Sequence, residues 1–189
     1  VVKEYYDGIL VLDIAKDLSN SLARSACAAK IDGEGCSLIT PVTRDCTLEI
    51  LTFDDENGKR TFWHTASHVL AQAVKRLYPE AKLAIGPAIE NGFYYDFDVP
   101  QPFSREDLDK IEAEMKKIVK EGYRMERVEL SSDEATKLME ERNEPYKCEL
   151  IAEHAGKGEA ITCYRQGEFI DLCAGPHLPS VSPVKALKL

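Results

Sequence analysis

Apolar residues recur every four positions near the start of the chain, which indicates a helix. The stretch LVLDIAKDLSNSLARSA places Leu10, Ile14, Leu18, Leu22 and Ala26 at this spacing, and residues four apart are neighbours on a helix surface. Two strands are predicted after it, in CAAKIDG and in CTLEILTF. We therefore predict a small α+β domain of the β-grasp (ubiquitin-like) kind over 1–58, with another α+β topology as the alternative. The polar stretch DDENGK at 54–59 is predicted to be the turn that ends it.

The pattern over 59–189 predicts three helices. The first has apolar residues at 62, 66, 69, 70, 73, 74 and 77 and ends before Pro79. The second begins after Ser104, which forms a capping-box pattern with Asp107, and ends at Gly122. The third begins at a similar pattern after Ser131 and runs to about residue 143.

Short strands are predicted between and after these helices. LAIGPAIENGFYYDFD is typical of two strands joined at Asn91-Gly92, a strong hairpin signal. Further short strands or loops are predicted in YRMERVEL, YKCELI, AITCYRQ and EFIDL. Residues 59–189 are therefore expected to form a larger α+β domain with a mainly antiparallel sheet.

Composition narrows the class of protein. The apolar fraction of 44% and the charged fraction of 30% are those of an ordinary globular protein, and no apolar run reaches the length of a membrane span. The first residues, VVKEYYDGILVLD, lack the basic flank of a signal peptide. The six cysteines form no CxxC pair, which argues against zinc ribbons and thioredoxin-type redox chemistry. These features predict a cytoplasmic protein in a reducing compartment, with no membrane partner.

The net charge of −9 limits how the chain can meet nucleic acid. Residues 1–58 hold 5 basic residues against 11 acidic ones. Proteins that grip nucleic acid through its phosphates are normally basic. Any contact with nucleic acid is therefore expected to be local, or to need help from elsewhere.

His64 and His68 are the first candidates for chemistry. Their spacing of four places both imidazoles on one helical face, beside the apolar stripe, where the wall of a cleft would lie. The alternative is a pair of ordinary surface or core histidines. The HExxH pattern of metalloproteases is excluded, because Thr65 stands where that pattern has its glutamate.

The stretch DLCAGPH adds Cys173 and His177. With His64 and His68 they make three histidines and one cysteine, a set that could complete a tetrahedral zinc site. The alternative is a buried cysteine and a loop histidine. Because His154 is the only other histidine of the chain, the concentration of the rest in two short stretches favours a shared site.

These two stretches resemble a known family. HTASHVLAQAVKRLYPEAKLAIGPAIENGFYYDFD together with YRQGEFIDLCAGPH is similar to the N-terminal part of threonyl-tRNA synthetases, over essentially the whole chain. The resemblance implies a TGS domain, a β-grasp module, at 1–58. It implies at 59–189 an editing domain of the kind shared with alanyl-tRNA synthetases and free-standing AlaX proteins.

The resemblance also implies a function. The chain ends at PVKALKL, before the class II catalytic core and the anticodon-binding domain that the family carries. We therefore expect a region that edits but does not aminoacylate; ATP and the zinc of the catalytic core would belong to that absent part. The implied partners are the remainder of the synthetase and the 3′ end of threonine tRNA carrying serine by mistake, whose ester is hydrolysed.

Roles for single residues follow from the resemblance. His64 is expected to bind or activate the hydrolytic water, Lys147 to stabilise the oxyanion or orient the ribose, and Asp171 to hold the seryl ammonium group. Without the family, Lys147 would be taken for a surface lysine and Asp171 for a turn carboxylate. The expected pocket-lining residues are His68, Cys173 and His177, with Tyr95 and Gly86 as weaker candidates that core packing also explains.

Three alternatives stay open at this point. Alanyl-type editing sites hold zinc on this ligand set whereas threonyl-type sites work without a metal, so we expect no cofactor, with zinc on His64, His68, Cys173 and His177 as the alternative. Cys173 could instead be a nucleophile. The chain could also be a free-standing deacylase acting in trans, or a non-catalytic TGS module with a structural zinc clip that binds tRNA or protein.

Overall fold

The computed structural model describes residues 1–189 and contains helices and antiparallel strands, which confirms the predicted α+β class. The helices are α1 (Val11–Leu18), α2 (Asn20–Ser25), α3 (Glu56–Leu77), α4 (Arg105–Glu121), α5 (Ser132–Glu141) and α6 (Pro145–Gly156). The strands are β1 (Ile9–Leu10), β2 (Ala26–Ile31), β3 (Glu34–Cys36), β4 (Pro41–Val42), β5 (Leu48–Thr52), β6 (Lys82–Leu83), β7 (Ala88–Ile89), β8 (Gly92–Phe93), β9 (Phe97–Asp98), β10 (Glu126–Leu130), β11 (Ile161–Gln166) and β12 (Phe169–Leu172). None of the helices combines the length and apolar character needed to cross a lipid bilayer.

The chain forms two compact units. The first comprises 1–62 and 175–179, and the second 63–174 and 180–189. The first unit thus ends within α3 at Phe62, whereas the sequence predicts its end at residue 58.

The first unit is built on a three-stranded antiparallel sheet in the order β3-β2-β5. Asp32 and Gly33 both have positive φ, of 52° and 87°, and form the tight turn between β2 and β3. This conformation suits the Asp-Gly pair found there. One face of the sheet packs against α1 around Val11, Ala29 and Leu38.

The single helix predicted over 10–26 is wrong, because the chain breaks at Ser19. Ser19 has extended backbone angles, and its Oγ accepts hydrogen bonds from the backbone N–H groups of Ser21 and Leu22, so it caps α2. A four-residue spacing drifts by about 40° per step on a helix of 3.6 residues per turn, so five such positions cannot share one face. The buried positions of α1 are Val11, Ile14 and Ala15.

Helix α3 begins at Glu56, inside the segment 54–59 predicted to be a turn, so that prediction is wrong from Glu56 onward. The Asp55 carbonyl accepts from the N–H of Lys59 at 2.8 Å, and the Asp55 carboxylate accepts from the N–H of Thr52 at 2.7 Å. A Cβ on Gly58 would lie 1.9 Å from the Thr52 carbonyl oxygen. Gly58 is therefore a close-approach residue between helix and strand, not a turn residue.

The second unit contains an antiparallel sheet in the order β10-β11-β12, which confirms all three of its predicted strands. Its register pairs Val128 with Cys163 and Cys163 with Leu172. Helices α5 and α6 cover one face of this sheet through a buried cluster of Ala135, Met139, Ile151, Ile161, Cys163 and Ile170.

Several local predictions in the second unit are confirmed. Ser104 forms a full capping box with Asp107 at the start of α4, and Gly122 ends that helix with a left-handed φ of 69°. A second capping box opens α5 after Ser131. Strands β7 and β8 form the predicted hairpin, but Gly92 already pairs with Ile89, so the turn residues are Glu90 and Asn91 and not Asn91 and Gly92.

The stretch YKCELI was predicted to be a short strand or loop and lies in α6, so this prediction is wrong. Tyr146, Cys148 and Leu150 alternate as in a strand. The buried positions are instead Lys147 and Ile151, four apart as a helix requires. Pro145 occupies the start of the helix, a favoured place for proline because its missing N–H needs no partner there.

Candidate functional site

Helix α3 brings His64 and His68 together within the second unit. Their rings meet edge to face, with centroids 5.3 Å apart and an interplanar angle of 88°. Both predicted side chains therefore lie on the same side of α3, as their spacing of four requires.

His68 is held in its neutral form. Its side chain is almost completely buried, and burial lowers the pKa of His68 to about 3, although the nearby Asp171 carboxylate acts in the opposite direction. His68 Nε2 lies 3.9 Å from Asp171 Oδ2. At neutral pH this imidazole carries no charge and keeps one nitrogen lone pair.

Cys173 lies directly after β12, opposite the histidines. Its backbone N–H donates to the Thr162 carbonyl at 3.0 Å, and its own carbonyl accepts from Thr162 Oγ1 at 2.7 Å. Hydrogen bonds therefore fix the backbone of Cys173 on both sides of its Cα. Cys173 Sγ lies 3.3 Å from His64 Nε2. The ligand atoms of His64, His68 and Cys173 all lie within 4.8 Å of one another.

His177 lies in the segment 175–179 of the first unit. His177 is fully buried, and its backbone carbonyl accepts a hydrogen bond from Ser37 Oγ at 3.3 Å. The role of the His177 side chain in the pocket stays a prediction.

Lys147 and Asp171 form a buried ion pair. Lys147 Nζ lies 2.8 Å from Asp171 Oδ1, and their side chains are only 4% and 2% exposed. The Tyr95 hydroxyl donates to Asp171 Oδ2 at 2.5 Å. Burial is the largest influence on the pKa of Asp171 and acts to raise it, but Lys147, His68 and Tyr95 together outweigh burial, so the pKa is lowered and the carboxylate stays ionised.

Gly86 and Tyr95 pack against each other at the edge of this pair. A Cβ on Gly86 would lie 2.1 Å from Tyr95 Cδ2, so only glycine lets the ring take this place. Lys147 Nζ also lies 5.5 Å from the centroid of the Tyr95 ring, within reach of a cation–π contact. Seven of the eight predicted site residues thus lie in the second unit, and His177 lies in the first.

Three buried polar residues near the site are not among the predicted site residues. Ser67 donates to the His64 and Gly86 carbonyls at 2.8 and 2.7 Å, and Gln72 and Gln166 form a side-chain pair next to His68. Gln72 continues the four-residue spacing of the two histidines, which was the available signal. Nothing in the local pattern around Gln166 marks it.

The arrangement offers the groups that ester hydrolysis needs. Neutral imidazole can accept a proton from water, and a buried ammonium group can stabilise a developing oxyanion. The donors of His64, His68 and Cys173 also suit one tetrahedral zinc ion, since nitrogen and sulfur ligands of zinc lie about 3.5 Å apart, close to the 3.3 Å between His64 Nε2 and Cys173 Sγ.

Comparison with known proteins adds two family matches. The TGS domain matches residues 1–52, and the threonyl and alanyl tRNA synthetase second additional domain matches residues 161–189. These matches confirm the two kinds of domain that the resemblance implies.

Individual relatives match the whole chain. Threonine–tRNA ligase of Acetivibrio thermocellus is 61% identical over 188 residues, that of Clostridium botulinum (strain Kyoto / Type A2) 59% over 188, and that of Caldanaerobacter subterraneus subsp. tengcongensis 58% over 187. The alignments cover 99–100% of this chain and 29% of each relative. The chain therefore spans less than a third of the length of the curated relatives it matches.

Proposed function

We propose that this chain, which matches threonine–tRNA ligases over its whole length and carries their TGS and second additional domains, hydrolyses the ester that joins serine to the 3′ end of threonine tRNA. The substrate is the mischarged tRNA, the nucleophile is water, and the products are free serine and uncharged tRNA. The remainder of the ligase is the proposed partner in the full-length protein.

Such a reaction is needed because binding alone discriminates poorly between serine and threonine. Serine lacks only the methyl group of threonine, and a pocket discriminates against a missing methylene-sized group by about 1–3 kcal/mol. A second pocket that hydrolyses the smaller product raises the accuracy beyond that limit.

The observation that carries the proposal is the buried Lys147–Asp171 pair beside the histidines of α3. Burying two charges away from water is costly, and a well-packed apolar pair is often at least as stable. Perturbed, buried ionisable groups cluster at functional sites for this reason. Asp171 of this pair lies 3.9 Å from neutral His68. The His68 ring contacts the His64 ring, and His64 in turn contacts Cys173.

Each residue then has a proposed role. His64 accepts the proton of the attacking water, because its Nε2 lies at the Cys173 end of the site. Lys147 stabilises the tetrahedral oxyanion, and Asp171 keeps Lys147 oriented through the 2.8 Å contact. Asp171 also stays the predicted ligand of the seryl ammonium; since Lys147 and Tyr95 already contact its two oxygens, the ammonium would share one of them.

The test is hydrolysis of the seryl and threonyl esters of threonine tRNA by the purified chain. We expect selective loss of the seryl ester, and a decrease of about 10²–10⁴-fold in the rate constant for His64→Ala, the range expected for a lost general base. His154→Ala is the matched control, because His154 pairs with Glu159 on the surface. Failure to hydrolyse either ester would contradict the proposal and favour a non-catalytic TGS module.

Cys173→Ala separates attack by water from attack by the thiol. The 3.3 Å contact between Cys173 Sγ and His64 Nε2 also suits a thiol activated by a base. If water is the nucleophile, Cys173→Ala keeps a rate within about tenfold of the parent. A loss as large as that of His64→Ala would assign the attack to the thiol.

The proposal includes no cofactor. If zinc were held, His64, His68 and Cys173 would be its ligands within the second unit, and the ion would lower the pKa of a bound water. Metal analysis of the purified chain, before and after chelation, tests this point. Stoichiometric zinc that is removed together with the deacylase activity would replace the metal-free proposal.

A further inference from the structure

Helix α3 carries four polar residues at a spacing of four: His64, His68, Gln72 and Arg76. The first two belong to the proposed pocket, and the other two do not. All four contact the segment 166–173. His64 meets Cys173, and Arg76 donates from Nε to Glu168 Oε1 at 2.6 Å.

The middle of this contact is held by two buried glutamine side chains. Gln166 Nε2 donates to the backbone carbonyl of His68 at 3.2 Å and to Gln72 Oε1 at 2.8 Å. Gln72 Nε2 donates to Glu168 Oε1 at 2.9 Å and lies 3.4 Å from the Gln166 carbonyl. Phe169 adds an edge-to-face contact with the His68 ring, with centroids 6.0 Å apart.

The lengths of the two elements agree along this contact. From His64 to His68 a helix rises about 6 Å, at about 1.5 Å per residue. From Cys173 back to Asp171, which lies opposite His68, a strand spans about 7 Å, at about 3.3 Å per residue. A slip of α3 by one turn, about 5.4 Å, would separate His64 from Cys173 and His68 from Asp171.

We propose that Gln72 and Gln166 are positioning residues, which fix the register of α3 against the hairpin of β11 and β12 and so hold His64 at Cys173 and His68 at Asp171. The proposal rests on the proposed function for its catalytic consequence, although the geometric part stands without it. Neither glutamine touches the substrate. Each acts through the histidine-bearing turn of α3.

Hydrogen bonds suit this task better than apolar packing. Both glutamines are at least 99% buried, and burying amide groups adds little net stability because they lose their contacts with water. Apolar side chains of similar size would fill the space but would allow α3 to slide along the hairpin. Paired amides form their hydrogen bonds in only one register. Fixed geometry matters because a displacement of about 1 Å in a catalytic group can lower a rate by about 10²-fold.

The test is Gln166→Met, which keeps the side-chain length and removes both donated hydrogen bonds. We expect kcat for the seryl ester to fall about 10–100-fold with KM within about twofold, the loss typical of residues that orient a functional group. Ser104→Ala is the matched control, because it removes the cap of α4, which carries no site residue. It should lower the melting temperature but leave kcat unchanged.

The imidazole resonances of His64 and His68, recorded by ¹H–¹⁵N NMR at one fixed pH, give a second readout. We expect them to shift in Gln166→Met and not in Ser104→Ala. Unmoved imidazole resonances, or a parental kcat in folded Gln166→Met, would overturn the proposal. If Gln166→Met does not fold, Glu168→Ala takes its place: that side chain is 54% exposed, and its loss releases Gln72 and Arg76.

The two proposals can fail separately. A parent chain that hydrolyses neither ester overturns the proposed function. The imidazole resonances then decide the positioning role alone, and shifts confined to the glutamine and Glu168 variants would still support it.

Discussion

The buried pair of Lys147 and Asp171 gives a sharp prediction of stability. Lys147→Met leaves the Asp171 carboxylate in the interior with Tyr95 and His68 around it, and Asp171→Leu leaves the Lys147 ammonium group there. Removing one partner of a buried pair costs about 3–5 kcal/mol, and the side-chain exposures of 4% and 2% place this pair in that class. We therefore expect each single variant to lose about 3–5 kcal/mol in the free energy of unfolding.

The double variant Lys147→Met/Asp171→Leu should lose much less than the sum of the two. It removes both charges at once, and an apolar replacement of a buried pair is often neutral. Urea unfolding followed by fluorescence measures this directly, because Trp63 is the only tryptophan of the chain and lies in the second unit. Additive losses, or single losses below about 1 kcal/mol, would refute the reasoning from burial.

Three further predictions follow from the structure. Burial is the largest influence on the pKa of Glu168 and acts to raise it, but Arg76, Gln72 and a backbone hydrogen bond together outweigh burial and lower the pKa from 4.5 to about 2. This stabilisation is therefore present above about pH 4.5 and lost as the pH falls toward 2. Because Arg76 is the first of the groups that lower this pKa, the melting temperature of Arg76→Met should depend less on pH in that window. Gly86→Ala should destabilise the chain by about 1–3 kcal/mol, because its Cβ would lie 2.1 Å from Tyr95. Gly156→Ala, whose Cβ would lie in open space, should instead stabilise the chain by up to about 1 kcal/mol. Urea unfolding measures both changes. Because the chain has a net charge of −9, its binding to threonine tRNA should be weak with a shallow salt dependence, and a steep decrease in affinity between 50 and 200 mM salt would contradict this.

Local sequence signals predicted the elements that depend on neighbouring residues. Backbone chemistry within a few positions explains the capping boxes at Ser104 and Ser131 and the left-handed Gly122. It also predicted the hairpin of β7 and β8, although the turn lies one residue before the predicted Asn91-Gly92. The same reasoning failed at Ser19, where a polar side chain caps a second helix inside an apolar repeat. It failed again at α6, where one of the two buried residues is a lysine.

The residues of the candidate site also divide into those predicted from local spacing and those that depend on tertiary packing. The spacing of His64 and His68 was sufficient to place both on one face. The ion pair of Lys147 with Asp171 could not be predicted from spacing, because it joins α6 to β12 and depends on tertiary packing. Only the resemblance to a family pointed to Lys147, and nothing local pointed to Gln166.

Helix α6 buries just two of its residues, Lys147 and Ile151. The lysine proposed for chemistry is therefore also one of the two anchors of its own helix. Replacing it will lower the concentration of folded protein as well as the rate per folded molecule, so a rate divided by total protein overstates its chemical contribution. Titrating the folded fraction in each sample separates the two effects, and the comparison of Lys147→Met with Ile151→Ala, which loosens the same helix without touching the charge, shows how large each one is.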